Sequence, residues 1–254
     1  MNDTLRHGIS KVPEVTLLFW LIKIAATTLG ETGGDAVSMS MGLGYLAGTI
    51  LFAAIFLIAV AVQIKSVSFN PYIYWLTVIA TTTVGTTLAD FADRSLGIGY
   101  LGGTTILLSL LGVSLLVWYR TMGTISVHSV SFPKAEIFYW ATIMFSQTLG
   151  TALGDWTADT AGLGYLGGMV VFGLLLSLLG IAYFFTSISR TTLFWSAFIL
   201  TRPLGAVVGD FLDKPLSAGG LELSRYSASA VLFTAMLACL WLFPQRPAAE
   251  KITL

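Results

Sequence analysis

Charged residues are scarce in this chain of 254 residues: Asp, Glu, Lys and Arg make up 10%, whereas soluble domains average about 25%. Hydrophobic residues make up 56%, and the mean hydropathy is +0.84. Thirteen basic residues balance thirteen acidic ones, so no excess of positive charge favours nucleic-acid binding. We therefore expect an integral membrane protein with the lipid bilayer as a partner and without a nucleic-acid partner.

Cysteine and histidine are almost absent. The single cysteine, Cys239, excludes an intramolecular disulfide and a cysteine-based zinc site. The two histidines, His7 and His128, lie outside the apolar runs and are poor metal-ligand candidates. A nucleophile–base set, a phosphate loop and a metalloprotease motif are also missing. We expect neither an enzyme nor a cofactor.

Long apolar runs are abundant. Eight of them are long enough to cross about 30 Å of hydrocarbon as helices. They cover approximately residues 15–34, 43–63, 72–91, 98–118, 137–156, 163–185, 192–211 and 225–243. Most basic residues follow even-numbered runs, so the positive-inside rule places both termini in the cytoplasm. The expected fold is an all-α integral membrane protein with eight transmembrane helices, forming a single domain over residues 1–254.

The sequence repeats four times. The segments headed by Trp20, Trp75, Trp140 and Trp195 align in register, with a glycine ten residues after each Trp and an aspartate fifteen residues after it. The repeats cover residues 14–66, 70–121, 135–187 and 190–243, and a longer linker separates the halves 1–121 and 135–254. Each repeat supplies two spans, so the four repeats are parallel. We expect a pseudo-twofold arrangement nested in a pseudo-fourfold one.

Two repeated features have packing interpretations. The tryptophans lie about five residues into each odd-numbered span, which is typical of an aromatic belt at headgroup depth. The equivalent glycines Gly30, Gly85, Gly150 and Gly205 are expected to allow close contact between helices.

A polar stripe follows each odd-numbered span. Positions 3, 7, 11 and 15 after each Trp recur on one helix face. They are Lys23, Thr27, Glu31 and Asp35; Val78, Thr82, Thr86 and Asp90; Ile143, Gln147, Thr151 and Asp155; and Phe198, Arg202, Ala206 and Asp210. Four such faces around one axis would line a central cavity, with hydroxyl groups at one level and carboxylates above them.

Ionisable groups inside spans are costly, so they are functional candidates. We expect cation binding by Glu31, Asp35, Asp90, Asp155 and Asp210, of which the four aspartates are the candidate metal ligands. Supporting polar groups on the stripe are Thr27, Thr82, Thr86, Gln147 and Thr151.

The bases on the stripe, Lys23 and Arg202, each lie two turns from a carboxylate of the same span and are expected to pair with carboxylates. Since the stripes of the second and third repeats have no base, Asp90 and Asp155 are expected to matter most as ligands. The alternative is that the repeated aspartates form turns or caps at the outer interface, an interpretation that suits Asp93, Asp159 and Asp213 better.

Carboxylate and hydroxyl oxygens are hard ligands that match manganese, magnesium or calcium, and carboxylates also carry protons. The sequence therefore predicts a secondary transporter that moves a divalent cation, coupled to protons, through a carboxylate-lined central cavity. A passive cation channel is an alternative, because three repeats contain GLGY or GIGY segments that resemble potassium-filter glycines. Transport of small organic cations and a scaffold without transport activity are further alternatives.

The motifs LGETGGD, TTLADFADRSLGIGYLGG, LGTALGDWTADTAGLGYLGG and TRPLGAVVGDFLDKPL resemble those of a family of uncharacterised bacterial multi-pass membrane-anchored proteins. This resemblance covers nearly the whole chain and implies a place in the bacterial cytoplasmic (inner) membrane, but it implies no activity. The segments ETGGDAVS and GDFLDKP are also faintly similar to the Glu-x-Gly-Asp motif of manganese and calcium transporters, with altered spacing.

Overall fold

The computed structural model describes residues 10–248, and within this range it has eight long α-helices and no β-strand. They are α1 (Leu17–Asp35), α2 (Tyr45–Lys65), α3 (Pro71–Asp90), α4 (Gly99–Met122), α5 (Pro133–Asp155), α6 (Gly164–Phe185), α7 (Arg190–Asp213) and α8 (Arg225–Leu242). The all-helical fold and the eight long helices expected from the sequence are confirmed.

Local sequence explains where the helices begin. Asn70 caps α3, because its side-chain oxygen accepts hydrogen bonds from the backbone N–H groups of Tyr72 and Ile73. Proline occupies the first turn of α3 and of α5, where its missing N–H has no intrahelical partner to lose. Thr16 caps α1 by accepting a hydrogen bond from the backbone N–H of Phe19.

The ends of the odd-numbered helices divide the repeats into two types. In the first three repeats the helix continues into a five-residue π-helical turn and then a glycine with positive φ; these glycines are Gly42, Gly97 and Gly162. Glycine adopts this left-handed conformation without a steric penalty. The fourth repeat lacks the motif, and α7 leads instead into the short 3₁₀ helix Leu216–Ala218.

The odd-numbered helices form a closed inner ring. Around this ring α1 packs against α3, α3 against α5, α5 against α7, and α7 against α1. The even-numbered helices lie outside it, and each packs mainly on the inner helix of the following repeat. Thus α2 lies on α3, α4 on α5, α6 on α7, and α8 closes the circle on α1.

Apolar residues cover the outside of this bundle. Five of the eight helices are long and apolar enough to cross a membrane: α2, α4, α6, α7 and α8. The outer helices α2, α4, α6 and α8 are mostly exposed in the isolated chain, and large apolar side chains such as Leu57, Leu108 and Leu174 point outwards from them. Helices α1, α3 and α5 are less apolar because they carry the polar stripe. This pattern indicates a membrane protein.

The repeated glycines form a symmetrical set of helix contacts. Each of these glycines lies against a stripe residue of the next inner helix, namely the residue seven positions after the Trp of that helix. Gly30 faces Thr82, Gly85 faces Gln147, Gly150 faces Arg202, and Gly205 faces Thr27. A β-carbon at Gly30, Gly150 or Gly205 would overlap the facing side chain. The helix-contact interpretation of these glycines is therefore confirmed, and it holds around the entire ring.

The two ends of the bundle differ. At one end, called the terminal end, the first and last described segments meet: Pro13 and Pro247 form an antiparallel bridge, and the Ala248 N–H donates to the Val12 carbonyl at 2.8 Å. The opposite end is called the acidic end because the repeated aspartates lie there.

The expected aromatic belt is wrong for three of the four tryptophans. Trp75, Trp140 and Trp195 are 1%, 2% and 4% exposed, and only Trp20 is partly exposed. The reason is that the residue before each Trp lies one helical turn before the first stripe residue and so extends the buried face of the helix. These preceding residues form an aromatic layer across the terminal end, in which the Tyr74 and Tyr139 hydroxyls lie 2.6 Å apart. The layer consists of Phe19, Tyr74, Tyr139 and Phe194.

Candidate functional site

The polar stripe lies inside the ring. All sixteen of its residues are buried, and none is more than 3% exposed. Because the inner helices are aligned by their glycine contacts, equivalent stripe residues lie at similar depths. From the terminal end, the aromatic layer is followed by a mixed layer with Lys23, a layer with Arg202, a layer with Glu31, and the aspartate layer.

Lys214 joins aspartates from the fourth and first repeats. Its Nζ lies 2.5 Å from Asp35 Oδ2 and 3.0 Å from Asp210 Oδ1. Burial alone would lower the pKa of this ammonium, but Asp210 and Asp35 outweigh that effect and raise it above its usual value. Arg225 adds a bond from Nε to Asp213 Oδ2 at 2.8 Å and lies 3.8 Å from Asp35.

Arg94 makes the equivalent connection between the second and third repeats. Its Nε lies 2.9 Å from Asp90 Oδ1, and its Nη2 lies 3.4 Å from Asp155 Oδ2. Arg94 follows Asp90 by four residues, as Lys214 follows Asp210. The stripes of the second and third repeats have no base, but the turn beyond the stripe supplies one to Asp90 and Asp155. The four aspartates form two ion-paired groups related by the pseudo-twofold arrangement.

Three carboxylates have the spacing of a metal site. Glu31 and Asp35 on α1 and Asp210 on α7 each offer an oxygen, and these atoms lie within 4.8 Å of one another. All three side chains are buried, and Asp35 Oδ1 has no hydrogen-bond partner among residues 10–248. The structure does not bring Asp90 and Asp155 into this group, although the sequence predicts that all five acids bind the cation.

Arg202 crosses the axis of the ring. Its Nη2 lies 2.9 Å from Glu31 Oε2 and donates to the hydroxyl groups of Thr86, at 2.6 Å, and Thr151. Its Nη1 donates to the Thr27 carbonyl at 3.3 Å. Its carboxylate partner is Glu31 of the neighbouring helix and not Asp210, which pairs with Lys214. At this depth the guanidinium fills the space where the sequence predicts a cavity.

Lys23 does not pair with a carboxylate in the described part of the chain. Its Nζ lies 4.2 Å from the centre of the Phe198 ring and has no hydrogen-bond partner there. The carboxylate closest in sequence on its face, Glu31, is occupied by Arg202. Two of the expected supporting residues, Thr82 and Gln147, also have buried side-chain polar atoms without partners between residues 10 and 248.

The three outer acids occupy different environments. Asp213 is bonded to Arg225, and exposed Asp159 accepts a hydrogen bond from the Tyr100 hydroxyl at 3.3 Å. Asp93 packs beside Gly103, and burial raises the pKa of its carboxyl group, although Arg94 opposes the shift. None of the three caps its helix through a side-chain hydrogen bond. Their expected role as caps is not observed.

Sequence reasoning missed the roles of Arg94, Lys214 and Arg225 as partners of the aspartates. A signal was present in DFADR and DFLDK, since residues four apart on a helix are neighbours. The contact of each base with the aspartate of the next repeat could not be seen without the order of helices around the ring.

These features define an eight-helix membrane protein with a ring of repeats and a buried set of charges. The chain belongs to the family described as Repeat of Unknown Function (DUF347), whose repeat matches residues 18–68, 73–124, 138–189 and 193–246. This match confirms the four repeats. No curated protein and no solved structure matches the chain. The comparisons show no resemblance to a transporter.

Proposed function

We propose that this protein is a secondary transporter of divalent cations of the manganese, magnesium or calcium type, coupled to protons. The observation that carries the proposal is the group formed by Glu31, Asp35 and Asp210. Buried carboxylates on two helices, with one oxygen each within 4.8 Å of the others, match the size and the hard-oxygen preference of these ions.

Lys214 supports the proposal because its ammonium group is itself a cation that two of these carboxylates bind. It contacts oxygens of Asp35 and Asp210 at 2.5 and 3.0 Å. Buried carboxylates are stable in a membrane only when they are paired, hydrated or protonated. The same requirement links the cation to protons, since carboxylates that release a metal ion can take up protons instead.

The two ends of the bundle differ in what lies beside the site. A surface cavity of about 280 Å³ lies at the acidic end, and Asp213, Glu222 and Arg225 are among its lining residues. Towards the terminal end, Arg202 and then the aromatic layer fill the ring. Access from one end at a time is the property that a carrier needs. Two closed layers on the axis speak against a passive channel.

We place the protein in the bacterial cytoplasmic membrane with the terminal end in the cytoplasm. The basic residues support this orientation, because Lys65, Arg120, Lys134 and Arg190 lie towards the terminal end, as the positive-inside rule requires of the cytoplasmic side. Cations would then approach the site from outside.

The test combines binding and transport by the purified full-length protein. Ligands that bind the folded state raise its melting temperature, so we expect stabilisation by Mn²⁺, Mg²⁺ or Ca²⁺ but not by K⁺ or tetramethylammonium. In proteoliposomes, uptake of the stabilising ion should accelerate with an opposed proton gradient.

Asp35→Asn and Asp210→Asn should each abolish uptake, whereas Asp159→Asn, at an exposed acid outside the cluster, serves as the matched control. Stabilisation by tetramethylammonium alone would favour the organic-cation alternative. No stabilisation and no uptake with any cation would overturn the proposal.

A further inference from the structure

We propose that Lys214 is a tethered competitor of the transported cation: its ammonium group leaves Asp35 and Asp210 when the cation binds and returns when the cation is released. The equivalent pair, Asp90 and Asp155, remains closed by Arg94. The ring would then have one exchangeable site, although its repeats supply two carboxylate pairs. This inference rests on the proposed function and adds the regulation of the site.

The position of Lys214 suits a group that moves. It follows the last residue of α7, where the backbone becomes extended, and its side chain is 12% exposed. Its charged group therefore lies between the buried carboxylates and the loop beside the surface cavity. A lysine side chain has four flexible methylene groups, so its ammonium group can move without a shift of the helix.

A second location for the ammonium group lies next to the first. Asp213 Oδ1 is 4.0 Å from Nζ and has no hydrogen-bond partner among the described residues. The backbone N–H of Glu222, a lining residue of the cavity, donates to the Lys214 carbonyl at 2.9 Å. A displaced ammonium group would thus stay beside Asp213 while a cation occupied the oxygens of Glu31, Asp35 and Asp210.

Arg94 is held differently, although its side chain is more exposed, at 33% against 12% for Lys214. Its guanidinium uses two different nitrogens to bridge Asp90 and Asp155, at 2.9 and 3.4 Å, and a planar group bound in this way is harder to displace than an ammonium group. No third acid completes a metal-like group with Asp90 and Asp155 in residues 10–248. The difference between Lys and Arg at equivalent positions therefore distinguishes the two pairs.

The return of Lys214 has a consequence for the transport cycle. An empty carrier must change conformation with its site vacant, and uncompensated buried carboxylates would oppose that step. With Lys214 bound to Asp35 and Asp210, the vacant site stays neutralised. Lys214 should therefore weaken cation binding but accelerate the return of the empty carrier.

The test measures Mn²⁺ affinity and transport for the full-length protein and its variants. Lys214→Met removes the competing charge and should tighten Mn²⁺ binding by about tenfold. The same variant should slow net uptake while preserving exchange of Mn²⁺ for Mn²⁺, which does not require the empty carrier to return. Lys214→Arg should weaken binding by about tenfold, because guanidinium is a stronger competitor.

Lys134→Met, which removes one exposed base at the terminal end, is the matched control for charge. Unchanged or weaker Mn²⁺ binding by Lys214→Met would overturn the inference while leaving the proposed function intact. If that variant does not fold, an unchanged affinity in Lys214→Arg would overturn it instead. Absence of divalent-cation binding by the unmodified protein would overturn the proposed function, and the inference with it.

Discussion

Arg202 on α7 and Glu31 on α1 form a buried ion pair across the inner ring, with Nη2 2.9 Å from Oε2. The Thr86 hydroxyl completes the connection, since it receives a hydrogen bond from Arg202 and donates to the same carboxylate oxygen at 3.2 Å. Side chains from three of the four inner helices are thus joined by hydrogen bonds. This arrangement links the polar stripe to the stability of the ring.

Loss of one member of this pair should destabilise the protein strongly. Arg202→Met leaves the Glu31 carboxylate buried without its counter-charge, and Glu31→Gln leaves the guanidinium in the same situation, so each should cost about 3–5 kcal/mol. The double variant should recover part of this loss. Unfolding in detergent, analysed as a double-mutant cycle, measures the coupling; additive losses would show that the pair has no mutual dependence.

Replacement of Lys23 should have the opposite effect and stabilise the protein. The Lys23 ammonium group is fully buried, faces the Phe198 ring and has no hydrogen-bond acceptor in the described chain. Lys23→Met keeps a long side chain and removes the cost of burying the polar group, so it should stabilise the protein by at least about 1 kcal/mol. Melting temperatures of this variant and of Lys65→Met, at an exposed lysine, provide the comparison. A lower melting temperature for Lys23→Met would contradict the prediction.

The glycine contacts can be tested with a matched pair of alanine variants. A β-carbon at Gly150 would overlap the Arg202 side chain, whereas Gly180 in α6 has open space around it. Gly150→Ala should destabilise the bundle by about 1–3 kcal/mol through overpacking. Gly180→Ala should be neutral or stabilising by up to about 1 kcal/mol, because alanine favours the helix. Equal effects at the two positions would argue against the packing role.

The orientation in the membrane can be tested by cysteine labelling. In a Cys239→Ser background, Ser95→Cys and Ser217→Cys lie in exposed turns at the acidic end, and Ser68→Cys and Thr186→Cys lie at the terminal end. An impermeant thiol reagent added to intact cells should label only the first pair. Labelling of the second pair from outside would reverse the proposed orientation.

Asp93 should make stability depend on pH. Burial raises its pKa in the folded protein, so its ionised form is penalised there but not in the unfolded chain. Asp93→Asn should therefore stabilise the protein above the raised pKa, and the gain should vanish as the pH falls below the ordinary value of 3.8. Melting temperatures at about pH 8 and about pH 3.5 should show a larger difference between variant and parent at the higher pH. A gain that is the same at both values would contradict this cause.

The repeat pattern made much of this fold predictable. The number of helices, the glycine contacts and the inward-facing stripe follow from residues that recur at fixed distances from Trp20 and its equivalents. The burial of Trp75 could not be inferred in the same way, because an aromatic residue near a span end suits both the membrane interface and a helix contact. The structure decides between them, because the preceding residue, Tyr74, is buried and its hydroxyl lies 2.6 Å from that of Tyr139.

The candidate site was only partly predictable, for a reason visible in Arg202 and Lys214. Sequence spacing identifies neighbours on one helix, and it suggested that Arg202 would pair with a carboxylate. It contains no information on which helices are neighbours around the ring, and that order brings Arg202 to Glu31 and Lys214 to Asp35. The partners across the ring had to come from the three-dimensional arrangement.

The packing of each outer helix on the inner helix of the next repeat has a consequence for biosynthesis. Helix α1 is made first, but its outer cover, α8, is made last. During translation the face of α1 that awaits α7 carries Lys23, Glu31 and Asp35 without their final neighbours. The inner ring therefore closes only after α7 has been made, and α1 receives its outer cover only after α8, just before the segment around Pro247 that pairs with Pro13.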